Sequence, residues 1–309
     1  MQHEQIPEFL FKYTTFDTMM KTINNSSLYW SSVSQFNDPF EYKFRFFTNG
    51  NANAVTARFL AAKFIKDNIA IEIFKNNKML QDLRDKYLKE EITFNSIEAS
   101  INNLLLEEKL STTELKNPSA MSVYKKIFLE TIPIRIKNII DDTTGVLCLT
   151  DDSDERSSRL MWSHYADCHK GVRIKLKTKF IENISDSMKS GVRKVFYQED
   201  FPLIEYDDYL GFSAGHFPKQ TRNLVNKMIF TKSDEWSYEN EYRSVIPFNN
   251  TSRIISVNPD AFDSIFLGLR TCSENQTAII DAIHEKMPHV KLFQTIQDDN
   301  SYRLTYTKI

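Results

Sequence analysis

Glycine is scarce in this chain, with 7 residues among 309, about 2 % where about 7 % is usual. That scarcity excludes the two common phosphate-cradling loops, GxGxxG and GxxxxGKS/T, which need several glycines close together so that backbone can approach phosphate. The nearest pair is Gly211 and Gly215, with no third glycine beside them and no Lys-Ser or Lys-Thr after them. A Rossmann dehydrogenase and a P-loop NTPase are both ruled out, and a bound nucleotide must be held another way. Cysteine is also sparse: Cys148, Cys168 and Cys272 are too few and too scattered for a disulfide framework, which fits a reducing compartment. Neither charge sign is in excess, with 39 basic and 41 acidic residues and a net charge of −2, so nothing global draws the chain onto nucleic acid. No run approaches 18 apolar residues, and Met1 to Pro7 lacks a basic segment followed by an apolar one. Neither a membrane span nor a signal peptide is expected, and the expected location is cytoplasmic.

The residues present alternate between strand-like and helix-like patterns. Residues 8–14 are rich in aromatics and predict a strand. Thr15 to Asn24 predicts a short helix with Thr15 or Asp17 as cap, and Leu28 to Ser32 a second strand. From about Asn51 to Asp142 apolar residues recur at spacings of three and four, as at Ile101, Leu104 and Leu105, and no glycine interrupts. This predicts an all-helical insertion at 51–142 within an α+β core made of 1–50 and 143–309. In the second part of that core, strands are expected at Val146–Thr150, Gly171–Lys177, Val192–Tyr197, Tyr242–Phe248, Ser264–Leu267, Val290–Ile296 and Tyr302–Thr307. Helices are expected at Ser157–Ala166, Pro218–Phe230 and Ser273–Lys286.

Three clusters could carry chemistry. The densest runs from Lys232 through Trp236-Ser237-Tyr238-Glu239-Asn240-Glu241-Tyr242-Arg243. If Glu239 to Phe248 is one strand, Glu239, Glu241 and Arg243 share a face, and two carboxylates beside a guanidinium have tuneable pKa values. The commoner reading of such alternation is a solvated strand face. The second cluster is Met161-Trp162-Ser163-His164-Tyr165-Ala166 through Cys168-His169-Lys170-Gly171. Trp162 and Tyr165 dock the helix or stack on a planar ring. His164 and Cys168 stand at i and i+4, but a structural zinc site needs four ligands in paired spacings, so no metal is assigned. The third cluster joins Lys12-Tyr13-Thr14 to Phe36-Asn37-Asp38-Pro39-Phe40-Glu41, where Asn37 and Asp38 are turn formers or hydrogen-bonding groups for a polar ligand.

As a set these motifs resemble a bacterial family catalogued as a domain of unknown function, across most of the chain outside 51–142. The layout is also similar to ADP-ribosyltransferases: a first strand with a polar residue, a short helix, a strand ending in serine, and a late strand entered by Glu-x-Glu. The resemblance implies a split two-sheet core that grips NAD, as substrate, without a glycine-rich loop. It implies Glu241, Glu239 and Lys12 as catalytic residues, with Lys12 standing where the family has arginine or histidine. It implies Tyr13, Ser31, Ser32, Asn37, Asp38, Trp162, His164, Tyr165 and Arg243 as residues that bind NAD. The expected activity is transfer of ADP-ribose to a macromolecular acceptor, protein or nucleic acid, by an intracellular toxin or phage-defence effector, with an antitoxin or chaperone as partner. Two other readings stay open: a metal-dependent nuclease using Asp38, Glu41, Glu239 and Glu241 as ligands with Lys232 on the phosphate, and a non-catalytic binding module.

Overall fold

In a computed structural model the described residues are 6–46, 57, 61, 65, 77–106, 132–152, 155–187, 191–204, 218–248 and 252–309. Parts of the expected helical insertion, and the Gly211–Gly215 stretch, lie outside them. The chain is α+β. It begins with β1 (Phe9–Thr14), α1 (Phe16–Asn25), β2 (Ser27–Tyr29) and β3 (Arg45–Phe46). Helices α2 (Lys78–Leu88), α3 (Phe94–Leu106) and α4 (Ile132–Thr143) follow, then β4 (Thr144–Thr150), α5 (Glu155–Tyr165), β5 (Val172–Lys177) and α6 (Thr178–Ser187). Next come β6 (Val192–Lys194), β7 (Phe196–Gln198), β8 (Leu203–Ile204), α7 (Pro218–Ile229), β9 (Thr231–Ser233) and β10 (Glu241–Pro247). The last elements are β11 (Ile254–Ser256), β12 (Phe262–Leu267), α8 (Ser273–Lys286), β13 (Lys291–Gln297) and β14 (Leu304–Lys308).

Two compact units result. The first comprises Met1–Glu41, Lys137–Asp200 and Phe230–Ile309; the second comprises Tyr42–Ile136 and Phe201–Ile229. The second unit thus takes in a segment that the sequence pattern grouped with the core. Its described interior gathers Ala57, Ala61 and Ile65 with Leu80, Tyr87, Ile97 and Ile101, and its β3 pairs with β8.

The first unit is organised by an eight-stranded sheet in the order β14-β13-β12-β5-β1-β4-β10-β6. All its pairings are antiparallel except β12 with β13, which the crossover helix α8 joins. Period-two alternation sends Leu10, Val172, Ile174 and Leu176 to one face, into a core with Met19, Ile23, Trp30, Ile279 and Ile283. The opposite face carries Phe11, Tyr13, Arg173 and Phe266, and α5 docks there through Met161 and Trp162. Helix α1 is started by Thr15, whose hydroxyl accepts from Thr18 N at 3.3 Å, and is stopped by Ser26 in the left-handed region.

The sheet is continuous but unevenly joined. Strands β1 and β5 pair along their whole length, from Phe9↔Lys177 to Thr14↔Val172, and β10 pairs with β4 from Glu241↔Thr150 to Pro247↔Thr144. Between those two blocks β1 meets β4 at the single pair Phe11↔Thr150. The expected pair of small sheets is therefore one sheet, with a seam between β1 and β4.

Three sequence-based expectations need correction. Val192 to Tyr197 is two strands, because β6 pairs with β10 while β7 pairs with β9. Glu239 does not belong to the β10 strand: it ends a 3₁₀ turn over Asp234–Glu239, and Asn240 follows at φ 42°. His164 and Cys168 share no helix face, because α5 ends at Tyr165 and Asp167, Cys168 and His169 all take positive φ values, 45°, 51° and 68°. That left-handed turn is pinned by backbone bonds from Gly171 N to Ala166 O at 2.8 Å and from Arg270 N to His169 O at 2.9 Å.

Gly268 sits against this turn, and a Cβ added there would run into the carbonyl oxygens of His169 and Gly171. Gly268→Ala is expected to lower stability by about 1–3 kcal/mol, measured as a reduced denaturant midpoint.

Candidate functional site

The first unit contains a cavity of about 310 Å³ at the seam. Strand β1 gives it Phe11, Lys12 and Tyr13, and strand β4 gives it Cys148, Leu149 and Thr150. Strand β10 supplies Glu241 and Arg243 to the same wall, and α5 supplies Met161, His164 and Tyr165. Ser31, Gln35, Phe36, Asn37 and Glu41 close another side.

A buried ionic cluster forms the floor. Lys232, on β9, places its ammonium 2.6 Å from Glu239 Oε2, 3.1 Å from Glu41 Oε1 and 3.5 Å from Glu241 Oε2. Arg243 grips Glu241 as a fork, Nε donating to Oε1 at 2.7 Å and Nη2 to Oε2 at 2.8 Å, and Nη2 also donates to Glu41 Oε2 at 2.7 Å. Arg243 is fully buried, with the Phe36 ring over its guanidinium at 5.2 Å; the Trp236 ring stands 4.9 Å from the Lys232 ammonium. Tyr165 OH donates to Glu239 Oε1, and Tyr197 OH accepts from Glu241 N at 2.8 Å.

The positions of the two neighbouring glutamates follow from backbone geometry. On one strand they would be two residues apart on one face. Here the left-handed Asn240 turns the chain between them, and Thr150 Oγ1 holds the Glu239 carbonyl. Asn240 Nδ2 in turn donates to Asp151 O at 3.1 Å. The carboxylates still converge, because Lys232 draws Glu239 inward from its turn.

Their environments push the two glutamates apart. Burial works to raise the Glu241 pKa, but Arg243 and then Lys232 outweigh it and hold the carboxyl at about 2. Glu239 moves the other way: burial raises it, Lys232 opposes, and the negative charge of Glu241 adds to the rise. One ammonium divided among three carboxylates cannot neutralise all of them. Burial lowers the Lys232 pKa, but Glu241, Glu41 and Glu239 together overcome it and keep that residue charged. Lys12 is shifted down, chiefly by burial, and its Nζ donates to Cys148 O at 3.4 Å across the seam. The resulting site pairs a carboxylate held ionised at neutral pH with a second one whose affinity for a proton is raised.

Of the residues singled out in the sequence, Lys12, Tyr13, Ser31, Asn37, His164, Tyr165, Glu239, Glu241 and Arg243 line this cavity. Ser32 does not, and its hydroxyl lies 3.0 Å from Ser34 Oγ. Asp38 does not either: its Oδ1 accepts from Phe40 N at 2.8 Å, a turn-forming bond. Trp162 is fully buried beneath the site, edge-on to Tyr13 with ring centroids 5.2 Å apart. Residue patterns did not single out Cys148 or Tyr197 as site residues, and Phe36 stood in a cluster without a role. Cys148 carries no signal beyond its place on a strand, and Tyr197 arrives through the β7–β9 pairing. Glu41 and Lys232 stand in the sequence clusters, but the residue patterns assign them a role only in the metal-dependent nuclease reading. Glu41, Glu239 and Glu241 are instead turned onto Lys232 and Arg243, and among the described residues no three His, Cys, Asp or Glu side chains are arranged to hold a metal.

Residues 161–244 match a family described as "Protein of unknown function (DUF2971)". The matched segment runs from the end of α5 into β10 and so includes Tyr165, Lys232, Glu239, Glu241 and Arg243. No curated protein and no solved structure matches the chain.

Because Glu241 is held at about 2 in the folded chain against an ordinary 4.5, its stabilising contribution is complete above pH 4.5 and disappears as pH falls towards 2. The unfolding free energy is expected to drop by roughly 3 kcal/mol over that window. Denaturant titrations at stepped pH check this, and Glu241→Gln is expected to flatten the slope there.

Proposed function

We propose that this cavity takes the nicotinamide riboside end of NAD and that the chain is an ADP-ribosyltransferase-like enzyme. The observation that carries this reading is the seam. A sheet joined at one residue pair opens a cleft whose two walls present Lys12 and Glu241, with Ser31 on a neighbouring side. Such a cleft holds a nucleotide by side chains and ring faces and needs no glycine-rich loop. The volume of about 310 Å³ lies at the lower end of small-molecule sites and suits a pyridine ring with its ribose, leaving the rest of NAD to extend through the mouth.

The division between the glutamates suits the chemistry. Breaking the bond between ribose C1′ and the nicotinamide nitrogen releases neutral nicotinamide and leaves an oxocarbenium-like carbon. Glu241, ionised throughout, stabilises that charge electrostatically. The acceptor nucleophile then bonds to C1′, and its proton passes to Glu239, whose raised pKa suits a general base. Tyr165 orients Glu239 through its hydroxyl, and the flat faces of Tyr165, His164 and Phe36 offer stacking surfaces for the pyridine. Lys12 brings positive charge to the opposite wall as a point charge, without the bidentate fork of an arginine.

The test is incubation with NAD labelled in the nicotinamide or the adenylate moiety, followed by chromatography. Nicotinamide release is expected, and Glu241→Gln is expected to reduce it by about 10²–10³-fold while Tyr165→Phe lowers the rate less. Intact NAD in the presence of folded protein would overturn the reading.

A further inference from the structure

We propose that Asp152 is a positioning residue that straps the two blocks of the sheet together across the seam and so sets the spacing of the cavity walls. Backbone pairing alone leaves that spacing weakly determined, because β1 and β4 share only Phe11↔Thr150. Asp152 lies two residues beyond the end of β4 and therefore moves with the β4–β10 block. Its Oδ2 accepts from Tyr13 OH, on β1, at 2.8 Å. The same oxygen pairs with Arg173 Nη1, on β5. Tyr13 and Arg173 are direct neighbours in the β1–β5 ladder, so one carboxylate holds two adjacent strands of the opposite block.

The anchor is packed among three aromatic rings. The Arg173 guanidinium lies 4.1 Å from the ring centroid of Phe266, 4.4 Å from that of Tyr306 and 4.9 Å from that of Phe11. Side-chain exposure is 6 % for Arg173 and 1 % for Asp152, so water does not compete for the pair. Among the described residues Asp152 Oδ1 and Arg173 Nε have no hydrogen-bond partner, so the pair rests on one oxygen where a fork would use both. The strap lies on the same wall as the site: Tyr13 itself lines the cavity, next to Lys12, whose ammonium reaches Cys148 O as a second and longer tie. Loosening Asp152 frees the β1 wall, with Lys12 and Tyr13, from the β4–β10 wall, with Glu241 and Arg243. The strap stands on geometry alone; its effect on turnover rests on the NAD reading above.

Two variants separate the strap from general stability. Tyr13→Phe removes one tie and leaves the Arg173–Asp152 pair whole, so folding is retained; Asp152→Asn keeps the size of the side chain and removes its charge. Residue-resolved hydrogen exchange is expected to show amides of β1 and β4 along the seam exchanging at least about tenfold faster in Tyr13→Phe, and faster still in Asp152→Asn, with β12 and β13 unchanged. Wild-type rates at the seam, or an even acceleration across the whole sheet, would overturn the proposal. If Asp152→Asn does not fold, Tyr13→Phe decides alone. In NAD turnover Asp152→Asn, at a residue outside the cavity lining, is expected to raise KM by about tenfold with kcat within about twofold, because both glutamates stay together on the β10 side. A fall in kcat at unchanged KM would contradict a positioning role. If the wild type releases no nicotinamide, the NAD reading fails while the exchange experiment still decides the strap.

Discussion

One ammonium shared among three carboxylates governs the architecture of the site. Lys232 is buried, and so are Glu41, Glu239 and Glu241, which come from a loop, a 3₁₀ turn and a strand. Removing those charges from water costs several kcal/mol per ion, and only close pairing offsets it. Arg243 completes the balance as far as it goes, with two cations for three carboxylates. Glu239 is the carboxylate that the arginine does not touch, and its affinity for a proton rises chiefly because it is buried, with the charge of Glu241 adding to the rise. The loop from Phe36 to Glu41 is held by the same pairing, since Glu41 bridges both cations. Fold and chemistry at this place are one electrostatic arrangement.

The seam is the second constraint. A sheet of eight strands gains cohesion from each ladder, and the ladder between β1 and β4 is nearly absent. The missing backbone bonds leave room for side chains, and side chains are what line the cavity. The pocket thus opens where the two blocks of the sheet meet, under α5 and the Ser31–Glu41 segment, and Lys12, Tyr13 and Asp152 bridge the seam.

Much of this was legible in the residues. Thr15 as a cap, the helix Ser273–Lys286, the strands around Val146 and Ile174 and the helical spacing before Asp142 are local signals, and local signals survive into the fold. Glu241 with Arg243 was also readable, because a strand forces period two. The 3₁₀ turn at Glu239 was not, since the charged alternation of Glu239, Glu241 and Arg243 reads as one strand and Asn240 alone marks the break. Trp162 was misplaced as a ligand contact because an aromatic side chain at helical spacing serves a core and a pocket equally well. Asp38 and Ser32 went to turn bonds that their residue types satisfy more readily than a ligand. The partnership of Lys232 with Glu41, separated by most of the chain, depends on tertiary packing and carries no local pattern.

The left-handed Asn240 divides labour between two kinds of backbone. Glu241 is registered in a ladder, so moving it would shift a whole strand. Glu239 ends a short turn whose other members, Asp234 to Tyr238, make no ladder. Asp234–Tyr238 therefore lead into Glu239 without sharing the ladder that fixes Glu241. One residue's φ angle thus sets the turn that carries Glu239 apart from the sheet that carries Glu241.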